Sequence, residues 1–318
     1  MRTVSIVSSR DGTEQKALFY APPEAAPAPG STPVPLLVAL HTWGGDYQQL
    51  AEAPKDRRWA MITPDFRGPN IRPEACASPL AIQDVLDAVA FAQTQARIDE
   101  ARIYLVGQSG GGHMALMMAA QAPALWAGVS SWVPISDLLA WRRFHMAGVY
   151  CRNMDSVCGG APGTVVADKE YYARSPIHIL PAAKGVALDI NAGIHDGHVG
   201  SVPISHSLNA FNVLAEANGF KARRIAESDI EFMTREQAVA PGLISETQPD
   251  GERAMAVLFR RVAGPVRITL FEGNHQWEVN ASLNWLSRQQ KGAPACFDVP
   301  SVVGAQSKEG SAARQVGL

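Results

Sequence analysis

Apolar positions recur along this chain in short runs that alternate with longer stretches of helical spacing. Residues 36–41, 60–65, 102–106, 127–133, 186–191 and 266–271 are short and apolar enough for strands buried on both faces. Between them, 82–95 carries Ile82, Val85, Leu86, Val89 and Ala90 at helical spacing, and 205–218 sets Leu208, Phe211, Leu214 and Ala215 on one face. Residues 113–121 and 279–288 complete the set of predicted helices. Such alternation predicts an α/β fold with a mostly parallel central sheet and helices on both faces. Ahead of it, 3–9 and 15–21 read as a β-hairpin turning near Asp11-Gly12, followed by a Pro/Ala-rich connection over 21–35.

Two stretches break the alternation. Residues 137–181, rich in Trp, Arg, Tyr and Gly, are expected to form a small cap inserted between two strands, and 220–256 to form a polar insertion before the last strand. The expected organisation is one domain over 1–290 with the cap at about 137–181, then a Gly/Ser/Ala-rich tail over 291–318 whose final part is expected to be poorly ordered.

Composition narrows the function classes. The chain has 318 residues, 47% hydrophobic and 18% charged, with a net charge of −2, an ordinary globular balance. There is no electrostatic case for nucleic acid or an anionic membrane, and no run reaches the roughly 20 apolar residues of a membrane span. The start, Met1-Arg2-Thr3-Val4-Ser5-Ile6, lacks the apolar core of a signal peptide, so the expected location is cytoplasmic as given, or secreted or periplasmic if a signal was removed. Cys76, Cys151, Cys158 and Cys296 contain no CxxC pair; Cys151 and Cys158 could bridge in an oxidising compartment, but separate thiols are preferred.

The sharpest chemical signal is Gly107-Gln108-Ser109-Gly110-Gly111, a G-x-S-x-G sequence between a predicted strand and a predicted helix. A serine on such a strained turn is exposed as a nucleophile, and glycines are needed because backbone atoms crowd there. No lysine follows as a phosphate loop would require. A serine nucleophile needs a base, and His275 is the one histidine after the final predicted strand. The acid is expected after strand 186–191, where Asp196 is preferred; Asp137 is the alternative, although its position also suits a helix N-cap. His195 and His198 flank Asp196 without the further ligands a metal site needs. The oxyanion hole is expected from the N–H of Gly110 with that of Thr42 or Trp43, which this pattern does not separate. His41 and Arg67 read as structural, and Trp132, Trp141 and Phe144 are candidates for a substrate pocket, with core packing the alternative for Trp132.

With those motifs assembled, the chain resembles the catalytic domain of the prolyl-oligopeptidase-like serine hydrolases of the α/β-hydrolase superfamily. The resemblance runs from about Leu36 to Ser287. It is carried by Leu40-His41-Thr42-Trp43-Gly44-Gly45, Asp65-Phe66-Arg67-Gly68, the serine motif, Arg174-Ser175-Pro176, Gly193-Ile194-His195-Asp196, 202–208 and Gly273-Asn274-His275. It implies Ser109, Asp196 and His275 as a triad and no cofactor or metal. The chain departs from the family where Thr42-Trp43 interrupts the usual His-Gly-Gly run and where 197–201 separate the acid from its Val-Pro pair. Only about 35 residues precede the first core strand, too few for the β-propeller of the family's peptidases. The expected function is therefore a carboxylesterase acting on small or carbohydrate-linked acyl esters. A serine peptidase is the alternative, and a non-catalytic hydrolase-fold binding protein is a third reading. The expected partner is a small-molecule or carbohydrate ester, with neither nucleic acid nor membrane.

Overall fold

The computed structural model describes residues 1–299 except Ala51, Ala53 and 247–249, with only the backbone of 245–246. Along the chain run β1 (Arg2–Val7), β2 (Glu14–Tyr20), β3 (Val34–Leu40), β4 (Ala60–Pro64), α1 (Pro79–Gln95), β5 (Ile98–Gln108), α2 (Gly110–Gln121) and β6 (Gly128–Trp132). Then follow α3 (Leu138–His145), α4 (Val149–Cys158), α5 (Val165–Ala173), β7 (Leu188–Gly193), α6 (Ser205–Ala217), α7 (Glu227–Glu236), β8 (Val257–Ala263), β9 (Val266–Phe271) and α8 (Val279–Leu286).

The strands form one sheet in the order β1-β2-β4-β3-β5-β6-β7-β9-β8. From β4 through β9 every neighbouring pair is parallel, while β1, β2 and β8 add antiparallel edges. The expected parallel α/β sheet is thus present. The sequence pattern assigned nothing to 257–263, because Arg260 and Arg261 interrupt its apolar run; the segment is β8, paired antiparallel with β9.

Local chemistry accounts for the helices that place the site. Ser78 caps α1 by accepting the Ala81 N–H at 3.1 Å, Pro79 fits the first turn, and Ala81, Val85, Ala88, Val89 and Ala92 are buried. Helix α2 is made mostly of Gly, Ala, Leu and Met and is buried from Gly110 through Ala120. Its small residues let it lie at the centre of the molecule, with Met114, Leu116, Met117 and Met118 in the main core beside β3, β5 and β7.

The 137–181 segment folds as α3, α4 and α5. These helices share a separate core of Leu138, Trp141, Met154, Val157, Cys158, Ala167 and Tyr171, joined by Trp43, Cys76 and Val202 from the sheet side. All four cysteines are free thiols, with Cys151 and Cys158 on the same helix. Helix α7 occupies the middle of the polar insertion. Of the expected tail, 291–299 lies back on α8, with Phe297 stacked on Trp285 at 5.9 Å; 300–318 fall outside the described residues. No described helix is long and apolar enough to cross a membrane.

Candidate active site

Ser109 sits between the end of β5 and the start of α2 with φ 58° and ψ −118°, a backbone conformation that costs a non-glycine residue about 1–3 kcal/mol. The surroundings hold it there. Its N–H donates to the Trp132 carbonyl at 2.9 Å, and its own carbonyl receives the His113 N–H at 2.8 Å. A Cβ on Gly107 would stand 2.2 Å from the carbonyl oxygen of Gly111, which is why the turn closes only with glycine there. This is the nucleophile-elbow geometry that the motif predicted.

The candidate base, His275, comes from the loop after β9. His275 Nδ1 lies 2.7 Å from Asp196 Oδ2, while its Nε2 is buried and has no hydrogen-bond partner among the described residues. Gln108, next to the serine, donates from Nε2 to the His275 carbonyl at 3.1 Å and so ties the elbow to the base loop. Asp196 is 1% exposed, and its other oxygen accepts the N–H groups of Gly197 at 2.9 Å and Val202 at 3.0 Å. The carboxylate is therefore fixed from three directions before any substrate arrives. Asp137 serves the cap instead, where its Oδ1 accepts the Ala140 N–H at 3.0 Å and closes the first turn of α3.

The loop after β3 separates the two candidate oxyanion donors. Thr42 N–H is consumed by Gln49 Oε1 at 2.7 Å, and Gln49 Nε2 returns a bond to Thr42 Oγ1 at 3.0 Å. The Trp43 N–H has no acceptor among the described residues and lies beside the helix start, where a Cβ on Gly110 would come within 2.4 Å of it. Gly110 is the first residue of α2, so its N–H has no acceptor within the helix. Trp43 and Gly110 thus keep free N–H groups as candidate donors, whereas the Thr42 N–H is occupied.

The three aromatic pocket candidates do not line a pocket together. Trp132 is fully buried: its indole N–H bonds Ser130 Oγ at 2.9 Å and its ring packs on Phe271 under the guanidinium of Arg253. Trp141 is fully buried in the core of the cap, and Phe144 is 44% exposed on its surface. The first two have no surface to offer a substrate, because both are fully buried.

Five further histidines have other partners or surroundings. His195 bridges Glu272 Oε1 at 2.7 Å and Gln237 Oε1 at 3.0 Å; Glu272, and then Gln237, hold its pKa above the ordinary value. His198 bonds the Thr234 carbonyl at 2.7 Å, so the two residues flanking Asp196 point to different partners. Burial pushes His113 and His206 down to about 4, leaving both neutral near pH 7. His41 lies between the Thr42 and Asp65 carbonyls, stacked on Phe66, and Arg67 binds Asp84 and Asp11, both consistent with bracing. Sequence pattern gave no hint of Gln49 or Gln108, because a lone glutamine carries no spacing signature.

Known proteins share parts of the sequence pattern and the fold. The family model described as the prolyl oligopeptidase family matches residues 80–229, and the esterase-domain model BD-FAE matches 27–125. No curated protein sequence gives a significant match. Among solved structures, the chain is similar to an acylaminoacyl peptidase of Pyrococcus horikoshii, with a TM-score of 0.60 and 16% identity over 93% of this chain and 42% of that one. It is also similar to a puromycin hydrolase, at a TM-score of 0.56 and 14% identity over 90% of this chain and 37% of that one. A puromycin-hydrolyzing peptidase of Mycobacterium tuberculosis gives a TM-score of 0.54 at 20% identity over 68% of this chain and 34% of that one. The chain thus spans well under half the length of these structures, and the likeness is one of fold.

Proposed function

We propose that this chain, which has the α/β-hydrolase fold, is a prolyl-oligopeptidase-like serine hydrolase and a carboxylesterase working through Ser109, His275 and Asp196. The observation that carries the reading is the pairing of His275 Nδ1 with the buried Asp196 carboxylate, which leaves Nε2 buried and unpartnered, with no hydrogen bond to Ser109 or to any other described residue. In this reading Nε2 removes the proton from Ser109 Oγ as the oxygen attacks the acyl carbon. Asp196 stabilises the imidazolium that results. The carbonyl oxygen, negative in the tetrahedral intermediate, accepts the N–H groups of Gly110 and Trp43, each such donor being worth about 3 kcal/mol at the transition state. Collapse expels the alcohol, which takes its proton from Nε2, and water then repeats the sequence on the acyl-enzyme.

One observation supports the ester reading. The BD-FAE match covers β3, the Trp43 loop and the serine elbow, the segment that forms the hole and the nucleophile. Carbohydrate-linked acyl esters fall within this class. The peptidase reading draws on the prolyl oligopeptidase match and on the peptidases among the similar structures. The deciding experiment compares kcat/KM on nitrophenyl acetate, an acetylated or feruloylated sugar and an aminoacyl nitroanilide. Esters are expected to lead after correction for intrinsic reactivity, and a leading nitroanilide replaces this reading with the peptidase.

A further inference from the structure

The candidate centre is built from two loops on separate strands. The Trp43 loop follows β3 and carries an oxyanion donor; the Asp196 loop follows β7 and carries the acid. One buried side chain of the cap, Trp141 on α3, touches both. Its ring meets that of Trp43 at 4.7 Å and 67°, and its Nε1–H donates to the Ser201 carbonyl at 2.8 Å. One turn later on the same helix, His145 Nε2 lies on the same carbonyl at 2.8 Å.

The Ser201–Val202 peptide is therefore held at both ends. Its C=O accepts from Trp141, and its N–H donates to Asp196 Oδ1 at 3.0 Å. A hydrogen bond accepted by an amide oxygen polarises the group and strengthens its N–H as a donor, so the two bonds reinforce each other. The chain continues through Asp196 to His275 Nδ1 at 2.7 Å. We infer that Trp141 is a positioning residue that sets the acid through the Ser201–Val202 peptide and the oxyanion donor through the ring of Trp43. This makes the cap part of the catalytic apparatus rather than only a wall of the pocket. The inference rests on the triad proposed above.

Two variants separate the two arms, with active sites counted by titration with a serine-directed phosphonate so that misfolded protein does not enter the rates. Trp141→Phe keeps a ring against Trp43 and removes the N–H. Its kcat per labelled site is expected to fall about tenfold with KM little changed, since small misplacements of reacting groups cost up to about 10²-fold. The acid limb of its kcat/KM profile is expected to move, because the partner of His275 has been loosened. Trp141→Leu also removes the ring contact. It is expected to lower the preference for an oxo-ester over the matching thionoester, whose sulfur uses the oxyanion donors poorly. If Trp141→Phe keeps the wild-type kcat per labelled site and an unmoved acid limb, the inference falls while the triad stands. If the phosphonate labels wild type at a serine other than Ser109, the triad itself falls.

Discussion

A Cβ built on Gly200 would stand 2.2 Å from Oδ1 of Asp196 and 2.6 Å from the Cβ of His275, so the loop that covers the Asp196–His275 pair has room for glycine alone at its point of contact. The residues between Asp196 and its Val-Pro pair form that cover, and Val202 at their far end closes it by bonding the carboxylate.

Gly200→Ala should therefore displace the pair without unfolding the protein. The expected loss in kcat/KM is about 10²-fold, from misplacement of the base. The melting temperature should fall by a few degrees, because the added methyl must displace the buried Asp196 carboxylate at a cost of about 1–3 kcal/mol. Wild-type turnover in this variant would mean that the pair does not need its observed geometry.

The two candidate acids make opposite demands. Asp196→Asn should cost about 10⁴-fold in kcat, since the amide favours the wrong imidazole tautomer. Asp137→Asn leaves an N-cap of equal quality and should change activity little. Steady-state kinetics on the two variants, with circular dichroism to confirm folding, decide between them; a larger loss in Asp137→Asn would reverse the assignment.

The path from sequence to site was legible where chemistry has a short-range signature. Ser109 stood out because its glycines flank a strand–helix junction, and His275 because it alone among the histidines follows the last strand. The core strands were readable as apolar runs, and α1 from its periodicity and Ser78 cap. What stayed hidden depended on contacts between distant residues. Thr42 and Trp43 were indistinguishable until Gln49 was seen to occupy the Thr42 N–H. Trp141 read as a pocket wall because aromatic residues suit pockets and cores alike, and only its burial separates the two. Strand β8 escaped because Arg260, paired with Asp250, carries charge into a strand position that the pattern treats as polar.

His195 and Glu272 join the acid loop to the base loop, and that joint should respond to pH. The folded-state pKa of His195 is raised, so its stabilisation is fully present below the unfolded value of about 6.5 and is lost as pH rises through the folded value. The difference in melting temperature between wild type and Glu272→Gln should be largest near about pH 6 and shrink toward about pH 9. A difference independent of pH would show that the pair is not ionised as His⁺–Glu⁻. The effect should be small, since both side chains are partly exposed.

Buried His113 and His206 set the acid limit. Each is held down to about 4 by burial, so the unfolded chain takes up protons first as pH falls below about 6.5. Stability should then decline between about pH 6.5 and about pH 4, with unfolding coupled to uptake of about two protons near the middle of that window. Urea titrations across pH test this, and a flat stability through the window would contradict it.

The central claim is that Ser109 is the nucleophile activated by His275. The most direct test is mass spectrometry of the protein after treatment with a serine-directed phosphonate, run beside Ser109→Ala. One adduct per chain on the peptide carrying Ser109 is predicted, absent from the variant, with turnover lowered by about 10⁴-fold or more. An adduct on a different serine, or a variant that keeps its activity, would contradict the account.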